Sequence, residues 1–242
     1  MVDDRIEHEI AHGKYLKKIW SGTLWYWETP AGKRRWDRRV KMLTSHIAAG
    51  MEVLEIGCAV GYFTKEIAKS NAHVTAIDIS PDLLEVAKKS VKSSNVTFQV
   101  DNAYDLSFQD NSFDTIVGSS ILHHLDVDKA FAELYRVLKP GGVIYFTEPN
   151  MLNPQVFLER HTALFGYLIK KSPDETAFFR WRLRKDLLKN GFTAIRIEPF
   201  DFLHPLIPRF AIPFVQTLGA GFERIPFLRE IAGSLYIRAS KG

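Results

Sequence analysis

The chain predicts an α/β fold: a mostly parallel sheet with helices on both faces. Three observations carry that prediction. Short apolar runs alternate with helical patterns from about residue 50 to 149, as parallel strands joined by right-handed helical crossovers require. The first run, Met51 to Ile56, ends in the glycine turn Gly57-Cys58-Ala59-Val60-Gly61 and passes straight into a helical pattern. That is how a buried strand feeds a nucleotide-binding turn. Glu55, Asp78 and Asp101-Asn102 then fall at successive strand ends, where open α/β sheets bind their ligands.

Residues 1–49 read as a mostly helical cap segment rich in aromatics, with a helix over 36–49 running into Gly50. Strands follow at Met51–Ile56, His73–Asp78, Val96–Val100, Phe113–Gly118 and Val143–Glu148. Between them lie helices at Tyr62–Ser70, Pro81–Ser93 and Lys129–Leu138. Ser80 caps the second of these, with Pro81 in the first turn, where its missing N–H costs nothing. Pro140-Gly141-Gly142 stops the third. Residues 50–242 thus form the main domain, with apolar insertions at about 150–175 and 201–231. The first insertion reads as helical from Asn150 to Lys171, followed by a helix over Thr176–Asn190 capped by Gly191. Thr193–Phe200 and Ser234–Ser240 alternate like strands.

Composition bounds the partners. The chain has 242 residues, 46% of them hydrophobic, with a net charge of +4, which suits one large domain with embellishments. Basic residues concentrate in Lys33–Arg39 and Arg180–Lys189; they read as solvated helix faces, with an anionic partner as the alternative. No RNA-binding motif stands out, so nucleic acid is not an expected partner. The single cysteine, Cys58, excludes an intramolecular disulfide and a cysteine-based zinc site. Together with an acidic N-terminus that has no apolar signal core, it sets the expectation of a cytoplasmic protein. Phe202 to Phe222 is interrupted by His204, Arg209 and prolines and does not read as a membrane span.

The turn itself separates two cofactor classes. A G-x-G-x-x-G turn presents amides to a pyrophosphate; here the spacing differs, and the Glu55 carboxylate would repel a diphosphate. A carboxylate there suits a cationic or hydroxyl-bearing ligand. Asp78 after the second strand is placed for ribose hydroxyls, and Asn102 after the third for an adenine amino group. Each residue alone also reads as a turn or a cap.

On these residues the chain resembles the class I S-adenosylmethionine-dependent methyltransferases, closely over 50–149 and loosely to 242. Glu55, Gly57 and Gly61 match the family's acidic-glycine motif, with Ala59 in place of its middle glycine. Asp78 matches the acid after the second strand. Asp101-Asn102-Ala103 matches the motif after the third, with Asn102 replacing the usual aspartate. Arg136-Val137-Leu138-Lys139-Pro140-Gly141-Gly142 also fits. The resemblance implies a Rossmann-like, seven-stranded sheet with a final antiparallel strand. It also implies S-adenosylmethionine as cofactor, with S-adenosylhomocysteine as product. Glu55, Gly57, Cys58, Ala59, Gly61, Asp78, Ile79, Asn102 and Ala103 are the expected cofactor residues, with Ser119 bordering the methyl group.

The acceptor is less legible, because methyl transfer from a sulfonium needs mainly alignment and exclusion of water. The chain has Gly118-Ser119-Ser120-Ile121 where enzymes acting on planar amino groups carry Asn/Asp-Pro-Pro-aromatic. Its one cysteine lies in the cofactor turn, not where a pyrimidine-attacking nucleophile would sit. Ile121-Leu122-His123-His124-Leu125 is similar to the ubiquinone and menaquinone methyltransferases and their small-molecule relatives. His123 or His124 is therefore the candidate general base, His123 being favoured. A packed or capping histidine is the competing reading. Asp126 and Asp128 are weak candidates for metal ligation, and no metal is expected. Glu148-Pro149-Asn150 reads as a strand-to-helix turn or as a polar wall of the acceptor pocket. The apolar insertions are expected to roof that pocket as a cap, a homodimer contact, a greasy acceptor site or a peripheral membrane contact. The expected activity is O- or C-methylation of a small molecule. The alternatives are a lipid-like or isoprenoid acceptor at a membrane and a non-catalytic S-adenosylmethionine-binding protein.

Overall fold

A computed structural model describes residues 2–19, 26–162 and 175–242. Two helices, α1 (Val2–Ile19) and α2 (Pro30–Thr44), precede the sheet. Then follow β1 (Glu52–Ile56), α3 (Tyr62–Ile67), β2 (His73–Asp78), α4 (Pro81–Ser90), β3 (Val96–Val100), β4 (Phe113–Ser119), α5 (Val127–Val137) and β5 (Leu138–Pro149). The remainder comprises α6 (Pro154–His161), α7 (Arg180–Lys189), β6 (Phe192–Phe200), α8 (Ile212–Phe222), α9 (Pro226–Arg229) and β7 (Ser234–Lys241).

The strands form one seven-stranded sheet in the order β3-β2-β1-β4-β5-β7-β6. The first five run parallel; β7 inserts antiparallel between β5 and β6. The order reverses between β1 and β4, so the ends of both strands border a crevice. Burial follows the strand period of two. Leu54 and Ile56 pack on one face with Phe131, Leu134 and Phe146. Val53 packs on the other with Leu43, Ile67 and Tyr145. Both faces are covered, as a parallel sheet requires.

Three helices start by one local rule: Thr29, Ser80 and Asn153 accept backbone hydrogen bonds from the first turn, and proline follows each. The sequence expectations differ in detail. The helix expected at 36–49 runs from Pro30 to Thr44. Helix α7 begins at Arg180 rather than Thr176, because the preceding residues are bonded elsewhere. Phe178 pairs with Asn150, and the Thr176 amide donates to the His123 carbonyl at 3.0 Å. Of the helix expected over 150–171, the described part is α6, and residues 163–171 lie outside the described residues. Strand β5 starts earlier than expected, with Pro140-Gly141-Gly142 absorbed in a register shift against β4.

Candidate active site

A cavity of about 1000 Å³ opens over the carboxyl ends of β1, β2 and β4. Glu55, Gly57, Cys58, Ala59, Asp78, Ile79, Asn102, Ala103, Ser119, His123 and His124 all line it. Gly61 does not. It starts α3 at φ +83°, and a Cβ there would come within 2.9 Å of Val91 and 3.2 Å of Ala87. Its part is the close seating of α3 against α4. Gly57 turns the chain at φ +66°. Ala59 also sits in the left-handed region, at φ +47°.

The acidic residues differ in their anchoring. Each Asp78 carboxylate oxygen accepts one backbone amide at 2.9 Å: Oδ2 from Ala59 and Oδ1 from Ser80. Burial raises its pKa, and these two amides oppose the rise. Each oxygen keeps a lone pair for a ligand hydroxyl. Glu55 is buried, and its Oε2 has no hydrogen-bond partner. Burial pushes its carboxyl up to about 7, with the Thr64 hydroxyl pulling the other way. Asn102 uses its side-chain oxygen in a turn, accepting from Tyr104 N at 3.0 Å. The Cys58 thiol is buried and raised well above its ordinary pKa, the reverse of a reactive thiolate.

The histidines part company. His123 Nδ1 lies 2.7 Å from Glu148 Oε2, and both side chains are buried. Glu148 also accepts from the amides of Ile121 and Leu122 at 2.9 Å. It therefore fixes both the start of the short helical turn Leu122–His124 and the His123 ring. Burial, reinforced by the neighbouring His124, drives His123 well below its usual pKa, so the imidazole is neutral. His124 is pulled down by burial, but Glu9 at 3.0 Å outweighs this and raises it. Glu148 is almost wholly buried and lies outside the cavity lining. Of the two readings of Glu148-Pro149-Asn150, the polar wall does not form: Glu148 is an internal brace and only Pro149 reaches the cavity. Asn150 likewise turns away, donating to the carbonyls of Glu230 and Ala232. Asp126 and Asp128 approach Lys129 and Lys189. Among the described residues, no cluster of His, Cys, Asp and Glu is suited to a metal.

Three comparisons bear on this site. Residues 54–146 match the family model described as a methyltransferase domain. A demethylmenaquinone methyltransferase of Staphylococcus aureus is 34% identical over 189 residues, covering 72% of this chain and 77% of the relative. The chain belongs to the class I S-adenosylmethionine-dependent methyltransferases. It transfers a methyl group from S-adenosylmethionine to a small-molecule acceptor. Solved methyltransferases share the fold at low identity. Haemonchus contortus phosphoethanolamine N-methyltransferase 2, in complex with S-adenosyl-L-methionine, superposes with a TM-score of 0.66 at 19% identity. That match covers 95% of this chain but only 60% of the longer enzyme. An S-adenosylmethionine-dependent methyltransferase from Mesorhizobium loti gives a TM-score of 0.63 at 20% identity, over 86% of this chain and 97% of that one.

The methyltransferase's own donor set suits this cofactor. The orphaned Glu55 oxygen is a buried acceptor waiting for a cation or a donor, and Asp78 offers two oxygens to a diol. Sequence reasoning missed a third wall. Arg5, Glu9, His12 and Leu16 of α1 also line the cavity, and α1 is tied down by Lys17, which bonds Asp82 and Glu85 of α4. No motif marks these residues; only the docking of α1 brings them in. The N-terminal aromatics divide. Trp36 packs on Phe63 at 4.2 Å as cap core, whereas Tyr26 and Trp27 reach the cavity; Trp20 and Trp25 lie outside the described residues. The described parts of the insertions line the cavity with both polar and apolar groups, while Leu164, Phe165, Tyr167, Leu168 and Ile169 of the first lie outside the described residues. The first lends Asn153, Gln155, Glu159 and Arg160 besides Val156, while its Phe157 and Leu158 are exposed. Among the described residues of the insertions, most of the apolar lining comes from the second, through Phe202, Leu203, Pro205 and Leu206.

Proposed function

We propose that the enzyme methylates an acidic carbon or hydroxyl of an apolar, quinone-like acceptor, with His123 as general base. One observation carries this reading: a neutral, buried imidazole in the wall of the cavity, its Nδ1 held by Glu148. With the Nδ1 proton donated to Glu148, Nε2 keeps the free lone pair that a base needs. The likeness to demethylmenaquinone methyltransferases supports the acceptor class. The cofactor supplies an electrophilic methyl group on a sulfonium. In this reading Glu55 meets its cationic end and Asp78 its ribose. Gly57, Cys58, Ala59, Ile79, Asn102, Ala103 and Ser119 line its bed, and Gly61 sets the turn. His123 takes the acceptor's proton, Glu148 positions His123, and His124 stands beside them against Glu9. Residues 1–49 and the two insertions form the cap that excludes water. The reading also places the protein in the cytoplasm.

His123→Gln keeps the size and polarity of the ring but removes the base. The expected outcome is a fall in kcat of about 10²-fold or more, with cofactor affinity unchanged by calorimetry. Equal turnover in mutant and wild type would remove His123 from the mechanism.

A further inference from the structure

Among the described residues, the most exposed large apolar side chains all lie between β6 and β7. Phe227 is 88% exposed, Phe210 87%, Phe214 67% and Leu206 64%. Helix α8 in this segment carries no charge at all and buries only Ile212 and Gly219. A helix on a protein surface ordinarily turns charge outward; this one turns out Phe214 and Leu218, with Phe210 one turn ahead in the same register. Arg209 and Arg224 flank the stretch and have no ion-pair partner among the described residues. The carboxylates of residues 202–231, Glu223 and Glu230, are bonded to Arg38 and Arg180. The face is therefore apolar with uncompensated positive charge. It is also continuous with the active site, because Leu203, His204, Pro205 and Leu206 line the cavity while Leu206 is itself exposed.

We infer that this face seats on an anionic bilayer surface, Phe210, Phe214 and Phe227 entering the acyl boundary and Arg209 and Arg224 meeting the headgroups. An apolar face with basic residues at its rim is the pattern of interfacial binding. No helix among the described residues is long and apolar enough to cross a membrane, so the contact is peripheral. A second copy fits less well. A two-fold interface sets one patch against itself, and this patch has no free carboxylate to receive the arginines of its mate. The inference rests on the proposed apolar acceptor for its purpose, since the rim at Leu206 would then meet the phase in which such an acceptor dissolves. Its physical basis is the face alone.

The test is sedimentation of the full chain, without acceptor, on vesicles of phosphatidylcholine with or without about 30% phosphatidylglycerol. Wild-type protein is expected to pellet with the anionic vesicles at low salt and to be released by added salt. Phe210→Ser, Phe214→Ser and Phe227→Ser combined should lower the partition coefficient at least about tenfold. Arg209→Ala with Arg224→Ala should lower it only on anionic vesicles. These side chains are exposed, so an unchanged melting temperature and cofactor affinity are expected to show the fold intact. Failure of wild type to pellet at low salt would overturn the proposal. So would pelleting indifferent to the serine substitutions, or a dimer by light scattering that those substitutions dissociate. None of these outcomes bears on methyl transfer, so docking and acceptor class fail separately.

Discussion

Ala59 holds a left-handed backbone position where this family's motif carries glycine. Alanine's small size alone would account for its tolerance there. The structure adds a second requirement, a positive φ, which alanine adopts at a cost of about 1–2 kcal/mol. The turn tolerates this because the Ala59 amide is bonded to Asp78. Ala59→Gly should therefore stabilise the protein by about 0.5–1 kcal/mol, the relief being partly offset by glycine's freedom in the unfolded chain. Urea denaturation checks the sign. Glu55 was legible as an acid at a strand end, but its burial and its orphaned oxygen were not. Because its carboxyl titrates near 7 in the folded state, the fold holds a proton that the unfolded chain releases at lower pH. That group alone makes stability fall as pH rises from the ordinary carboxyl range toward 7. A cationic ligand reverses the preference, since it needs the ionised form. Affinity for S-adenosylmethionine should thus fall about tenfold per pH unit below 7 and level off above it. Glu55→Gln should bind more weakly at pH 8 and lose that slope; an unchanged slope would assign it to another group.

At the scale of elements, the basic run on α2 shows what composition alone conceals. Arg35 and Arg39 both bond Asp201 Oδ2 at 2.8 Å, and Arg39 also donates to Ser234 at 2.6 Å. Arg38 forms a two-pronged pair with Glu223. The run looks like a solvated or anion-binding face in sequence, yet it fastens α2 to the end of β6, the start of β7 and the foot of α8. Asp201 is held down to about 2, its two arginines outweighing its burial. Its contribution is therefore present above the ordinary aspartate pKa and lost as pH falls toward 2. Arg39→Ala leaves a buried carboxylate half-paired and should cost roughly 3–5 kcal/mol by urea denaturation. A loss below about 1 kcal/mol would mean that Arg35 alone suffices. The docking of helix α1, though not its helical character, escaped the sequence reading for a related reason: periodicity gives a helix and its apolar stripe, not the element on which it docks. His12 and Glu9 join the site only through that docking.

For the whole molecule, the sheet and the acids at its strand ends were legible because each depends on local pattern. Strand alternation, capping residues before prolines and acids at strand ends all survive in one dimension. Asn153 capping α6 and Ser80 capping α4 are of this kind. Which described residues of the insertions face the cavity was not legible, because the insertions are apolar in composition and only the folded chain decides which side faces inward. Phe157 turns out while Arg160 and Glu159 turn in; Phe210 and Phe227 stand on the surface while Leu203 enters the wall. The cavity thus joins acids at the strand ends to an apolar wall from residues 202–206. The most direct measurement of the whole account is methyl transfer from methyl-labelled S-adenosylmethionine by the purified protein, supplied with a lipid extract and a protein-and-RNA extract in parallel. Label in an organic-soluble small molecule, lost on His123→Gln, is the predicted result. Label in macromolecules, or none anywhere with cofactor demonstrably bound, would contradict it.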